Sequence, residues 1–259
     1  MECWAGIDVG SLTTEAVVID ADRRVVGSAI VPTGARSTRA IEEAMSRALA
    51  LAAIPAKKIA SIVSTGYGRG NVQGRMKDVT EITCHARGAH FLFPSTRFVV
   101  DVGGQDSKAI ALDGGGRVTD FAMNDKCAAG TGRFLEVMAR ALEIELEDMG
   151  SLAVQSTKKL TISSMCTVFA ESEVVSLLSR GESVPDIVAG LSRAISERIR
   201  SLAQRVGIGD EVTMTGGVAK NGAVVRALEK VCGKSFHIPP EPQIVGALGA
   251  ALIAREMEV

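Results

Sequence analysis

Gly6-Ile7-Asp8-Val9-Gly10-Ser11 stands near the start of the sequence, and Val99-Val100-Asp101-Val102-Gly103-Gly104-Gln105 repeats its plan much later. Each is an apolar strand ending in Asp-Val-Gly, followed by two strand-like runs and then a helix. After the first copy come Glu15 to Asp20, Val25 to Val31 and a helix predicted over 38–52. After the second come Lys108 to Leu112, Val118 to Phe121 and a helix predicted over 128–144. A unit duplicated in this way predicts an α/β fold with two similar lobes facing each other across a cleft. Elsewhere strands are predicted at 58–64, 160–163 and 212–215, and helices at 79–93, 185–206 and 219–231. An Ala-rich helix at 243–256 can pack closely because of Gly246 and Gly249. The expected division is a first lobe at 1–94, a second at 95–242, and 243–259 packing back toward the first.

The turns carry the chemistry. Gly10, Ser11, Leu12, Thr13, Thr14 and Glu15 follow Asp8 in a segment that offers backbone N–H groups and hydroxyls to phosphate oxygens, and glycine permits close approach. Asp8 is placed to hold a magnesium ion through waters, since Mg²⁺ dehydrates reluctantly. Asp101 with Gly103, Gly104 and Gln105 offers the same parts from the opposite lobe. Thr215-Gly216-Gly217 ends a further strand. One such turn alone reads equally well as a hairpin. Two in register, with a third Gly-containing strand end, point to a nucleotide. Neither the Walker spacing nor the dinucleotide glycine pattern is present.

Cys127, in Asn124-Asp125-Lys126-Cys127-Ala128-Ala129-Gly130-Thr131-Gly132, and Cys166, in Ser163-Ser164-Met165-Cys166-Thr167-Val168-Phe169-Ala170-Glu171, each precede a run with helical apolar spacing. At a helix N-terminus the dipole and free N–H groups favour a thiolate. Two thiolates supply half of the four that hold a [4Fe–4S] cluster, and a two-fold dimer supplies the rest. The plainer alternative is a pair of buried structural cysteines.

Composition bounds the rest. A chain of 259 residues, 46% hydrophobic, buries a substantial core. A net charge of -1, one Trp and one Tyr argue against a nucleic-acid surface. Met1-Glu2-Cys3-Trp4 shows no signal peptide, and the apolar run 244–254 is too short to span a bilayer. A cytoplasmic, reducing location is therefore expected, with the five cysteines free, ligating or catalytic.

Taken together with Ser64-Thr65-Gly66-Tyr67-Gly68-Arg69, Cys84-His85-Ala86-Arg87-Gly88-Ala89 and Thr215-Gly216-Gly217-Val218-Ala219, these motifs resemble the actin-like ATPase superfamily. Within it, the two cysteine motifs resemble the activators of 2-hydroxyacyl-CoA dehydratases and the related ATPase subunits of benzoyl-CoA reductase. The resemblance implies a two-lobed actin-like (ribonuclease H-like) ATPase fold binding ATP or ADP with Mg²⁺. It also implies a homodimer with one [4Fe–4S] cluster at its interface, matched by Cys127 and Cys166. ATP hydrolysis then drives an electron from ferredoxin or flavodoxin to a dehydratase or related CoA-ester reductase. A cluster-free small-molecule kinase and a nucleotide-binding regulator without turnover are the rivals. The family carries a lysine where this sequence has Glu15. An acid near phosphates is unfavourable in sign, so Glu15 either points away or helps organise the magnesium.

Other polar residues leave alternatives open. Gln105 either orients the attacking water or touches the phosphates. Gln243 is placed, by its family counterpart, to meet the nucleoside. Cys84, His85 and His90 suggest a metal site less readily than a packed helix facing the cleft. Glu171 and Glu173 read as solvated or salt-bridged, and Cys3, Cys232 and His237 as incidental.

Overall fold

The computed structural model describes residues 2–163 and 166–257. Ser164 and Met165, in the stretch before Cys166, lie outside the described residues, as do Met1, Glu258 and Val259. The first sheet contains β1 (Cys3–Val9), β2 (Thr13–Ile19), β3 (Val25–Pro32), β4 (Ile59–Thr65) and the short β5 (Lys77–Asp78), in the order β3-β2-β1-β4-β5. The second contains β6 (Phe98–Val102), β7 (Ser107–Leu112), β8 (Val118–Asn124), β9 (Val212–Thr215) and the short β10 (Phe236–His237), in the order β10-β9-β6-β7-β8. In both, the opening strand runs antiparallel to the second and parallel to the fourth. The duplication legible in the sequence is thus a duplication of topology.

Helices cover both faces of the first sheet, so β1 is buried at every residue. On one face lies α1 (Ser37–Ala52), whose Ala40, Ala44 and Ala48 repeat every four residues toward the strands. On the other lie α2 (Glu81–Leu92) and, from the far end of the sequence, α8 (Val245–Glu256). This second layer is held very close. A Cβ on Gly6 would fall 1.9 Å from the Ala247 carbonyl oxygen, and one on Gly249 would fall 1.8 Å from that of Cys84. Helix α2 belongs to neither sheet alone: Cys84 packs with α8 and the first sheet, while Ala86 and Ala89 pack on Val99 and Ile110 of the second.

The second sheet is backed by α6 (Val184–Gln204) and α7 (Gly222–Cys232), with α3 (Gly132–Ala141), α4 (Met149–Val154) and α5 (Thr167–Ser179) beyond them. Ile187, Leu191, Ile195 and Ile199 form the buried stripe of α6, which begins at a Ser183 cap bonded to the Asp186 N–H. Asn221 caps α7 by accepting from Ala223 and Val224. No helix among the described residues is long and apolar enough to cross a membrane.

Three local expectations are corrected. Residues 160–163 form no strand; the Leu160 carbonyl accepts from Arg193 instead of a ladder partner. The helix expected from 219 begins at Gly222, because residues 217–220 form a tighter 3₁₀ turn. The helix expected from 128 begins at Gly132, because Ala128–Thr131 closes a turn in which both the N–H and the hydroxyl of Thr131 bond the Ala128 carbonyl.

Candidate functional site

Strand β1 ends at Val9 and β6 at Val102, and their C-terminal ends face each other across a cavity of about 810 Å³. Asp8, Gly10, Ser11, Leu12, Thr13 and Glu15 line it from the first lobe. Asp101, Gly103, Gly104, Gln105, Gly216, Gly217 and Gln243 complete the set drawn from the sequence. The two turns touch: a Cβ on Gly104 would fall 2.5 Å from Leu12 Cδ1. Gly216 has φ +83°, and a Cβ there would fall 2.4 Å from the Val102 carbonyl oxygen, so only glycine suits that strand end. Thr14 is the exception. Side chains alternate along a strand, and Thr14 turns away to bond Thr33 Oγ1 at 2.9 Å.

The hairpin registers decide the charges. Asp8 stands opposite Glu15, and Asp101 stands opposite Lys108. The duplicated position thus carries an acid in one lobe and a base in the other. Lys108 is buried and reaches Asp101 Oδ2 at 3.2 Å, Asp106 Oδ2 at 2.7 Å and Glu81 Oε2 at 2.6 Å. Burial favours its neutral form, but these three carboxylates outweigh burial and hold it protonated. Asp101 lies below the usual carboxylate range: burial opposes its charge, and His85 and Lys108 more than restore it. His85 is pushed up to about 9, since Asp101 and Asp8 outweigh its own burial. Cys84, next to it, is pushed up to about 12 by burial.

Glu15 does not point away. It lines the cavity at 4% exposure and accepts from the Gln243 amide at 3.1 Å, while the same amide bonds Thr13 Oγ1 at 2.9 Å. Burial and then Asp8 push Glu15 up to about 8, against the hydrogen bonds from Thr13 and Gln243. Its surroundings therefore favour the uncharged acid. Unfolding releases it to its ordinary value of 4.5, so the folded chain binds one more proton between these values and loses stability as pH rises through them. Glu15→Gln keeps the shape without the titration. Its stability without nucleotide, followed by thermal melting, should rise relative to that of the unaltered chain between pH 5 and 8, by up to about 1.4 kcal/mol per pH unit. Parallel melting curves across that range would exclude this account.

Sequence reasoning put His85 on a packed helix facing the cleft, as the structure has it, but gave no role there to His85, Lys108, Glu81 or Asp106. Hairpin register could have found Lys108, directly opposite Asp101. The partners of His85 could not be read locally, because they arrive from other elements.

The two cysteines lie outside the cavity. Cys166 is exposed and is the N-cap residue of α5, as its motif suggested. Cys127 is half-buried and sits in the turn that precedes α3 rather than at its N-terminus. There its carbonyl accepts from Asn124 Nδ2 at 2.8 Å, and Arg198 Nη2 lies 3.5 Å from its sulfur. Val168, Phe169 and Val175 of α5 are exposed. Among the described residues no three His, Cys, Asp or Glu side chains gather to hold a metal. Two thiols with solvent access, one beside a guanidinium, are of the chemical type that can ligate iron–sulfur clusters. The helix that follows Cys127 is tied to the cleft through its backbone. The free N–H groups of Gly132 and Arg133 in the first turn of α3 donate to the carbonyls of Gly103 and Gly104, at 2.9 and 2.8 Å.

Two lobes of one topology, closing on a cleft with an aspartate at each facing strand end, define an actin-like ATPase. The chain belongs to the BadF/BadG/BcrA/BcrD ATPase family, which matches residues 5–254. The activator of lactoyl-CoA dehydratase from Anaerotignum propionicum is 48% identical, over 97% of this chain and 96% of that protein. Component A of the (R)-2-hydroxyglutaryl-CoA dehydratase of Acidaminococcus fermentans has a TM-score of 0.96 and 44% identity, covering 99% of each chain. The activator of 2-hydroxyisocaproyl-CoA dehydratase from Clostridium difficile, solved with bound ADPNP, has a TM-score of 0.95 and 41% identity over 98% of this chain and 95% of that one.

Proposed function

We propose that this chain is an ATP-driven activator of a 2-hydroxyacyl-CoA dehydratase-type enzyme, working as a homodimer in which Cys127 and Cys166 of each subunit hold one shared [4Fe–4S] cluster. The observation that carries the reading is the direct bonding of the Gly103–Gly104 turn to the first turn of α3. A γ-phosphate that draws this turn toward it also draws the helix behind Cys127, so occupancy of the cleft is felt at the cysteine face. A cluster held there supplies a one-electron couple for the partner enzyme, recharged by ferredoxin or flavodoxin.

Within the cleft the backbone N–H groups of the Gly10–Thr13 turn receive phosphate oxygens. Asp8 and Asp101 hold the water shell of Mg²⁺. Gln105, exposed at the cavity wall, has an amide able to orient the attacking water. Gly216, Gly217 and Gln243 receive the nucleoside end. An uncharged Glu15 beside Asp8 spares the phosphates a second negative charge on that wall. The exposed apolar side chains of α5 beside Cys166 are covered by the second copy.

Anaerobic purification tests the reading. A brown dimer that hydrolyses ATP and holds about four iron and four sulfide ions per two chains is expected. A colourless monomer that takes up no iron on reconstitution overturns the electron-transfer assignment and leaves a nucleotide-handling ATPase.

A further inference from the structure

We infer that His85 is a positioning residue that clamps Asp8 of one lobe to Asp101 of the other, fixing the separation of the two carboxylates on which Mg²⁺-nucleotide must settle. The inference rests on reading the cleft as the ATP site. His85 is 5% exposed and comes from α2, the helix shared by the two lobes. Its Nδ1 lies 3.0 Å from Thr215 Oγ1 and 3.3 Å from Asp101 Oδ1, and its Nε2 lies 3.7 Å from Asp8 Oδ2, an electrostatic contact beyond hydrogen-bond reach.

Hydrogen-bond accounting orients the ring. The Thr215 hydroxyl donates to Asp101 Oδ1 at 2.9 Å, which uses its one hydrogen. Thr215 Oγ1 can then only accept from His85, so Nδ1 carries a proton. Lys108 holds the other oxygen of Asp101, so both oxygens of that carboxylate are directed. On the opposite side the backbone leaves the space that the ring and Asp8 need. A Cβ on Gly246 would fall 2.1 Å from Asp8 Oδ2 and 2.8 Å from His85 Nε2. The three-part contact of Asp8, His85 and Asp101 is thus built from β1, α2 and β6, with α8 thinned to a glycine beside it. A partner behind a metal-holding group sets its direction, and losing such a partner typically reduces metal affinity or activity by about 10–100-fold.

Anaerobically prepared His85→Ala, His85→Gln and Thr215→Val proteins decide the matter, with ADP affinity, ATP turnover, Mg²⁺ dependence and melting temperature measured for each. In His85→Ala, kcat should fall by about 100-fold and half-saturating Mg²⁺ should rise by about 10-fold, while ADP affinity measured in EDTA stays within about threefold. His85→Gln retains a donor of similar reach and should recover part of kcat, and Thr215→Val should show a weaker version of the same split. Unchanged turnover and Mg²⁺ dependence in His85→Ala overturn the role of His85 alone. So does a parallel fall of kcat, ADP affinity and melting temperature that His85→Gln does not relieve, which marks a packing residue. Failure of the unaltered chain to bind Mg²⁺-ATP overturns the reading of the cleft and the inference together.

Discussion

Cys127→Ala and Cys166→Ala should each give a colourless protein whose iron falls from about four per dimer to near zero, with activation of the dehydratase lost and ATP turnover kept within a few-fold. The separation of these effects follows from where the sulfurs lie. Neither cysteine lines the cavity, and neither side chain caps a helix. Cys166 is exposed, and α5 starts without a hydrogen bond from its sulfur, so alanine there removes little that folds the chain. The Cys127 turn is fastened by Asn124 to its main chain and by the Thr131 bonds to Ala128, all of which survive loss of the thiol. A melting temperature within a few degrees of the parent is therefore part of the expected result. Retention of colour and iron in either single variant would sink the four-thiolate assignment.

Gly249→Ala should unfold or severely destabilise the protein, although alanine is the better helix former by about 1 kcal/mol. The added methyl would lie 1.8 Å from the Cys84 carbonyl oxygen, 2.6 Å from its carbon and 3.0 Å from its Cα. These are main-chain atoms of a neighbouring helix, and no rotamer change moves them aside. Relief requires α2 and α8 to separate, which opens the cluster that Cys84 shares with Ala247, Leu248 and Ala251. Overpacking typically costs about 1–3 kcal/mol, and a clash against backbone belongs at or beyond the upper end. Thermal denaturation should fall by roughly 6 °C or more. Gly70→Ala, where an added Cβ meets nothing within 4 Å, provides the near-neutral comparison. A higher melting temperature for Gly249→Ala would show that this helix contact is looser than described.

The lobes were legible because duplication is a property of pattern: strand, Asp-Val-Gly, turn and hairpin recur, and the topology recurs with them. Placement of whole turns in the cleft followed for the same reason. What failed to follow was direction within a turn. Thr14 shares the hydroxyl chemistry of Thr13, yet strand alternation sends it to Thr33. Helical spacing after Cys127 was read correctly, but the tight turn at 128–131 was absorbed into the helix although Gly130, at φ +96°, and Thr131, the N-cap of α3, mark the boundary. His85 was placed on a helix facing the cleft, but its partners there were beyond reach. Its meaning comes from three elements meeting at one point, and no local period encodes that.

Helix α8 lies at the far end of the described sequence, yet the strands it covers, β1, β2 and β4, all belong to the first sheet. Between them the chain builds the entire second lobe. During vectorial synthesis on a ribosome, the first sheet therefore emerges with one flank covered at most by α2 and stays incomplete until residues 245–256 have left the exit tunnel. The second lobe meets no such delay. The order of maturation is thus inverted relative to the order of translation, with the amino-terminal half completed last.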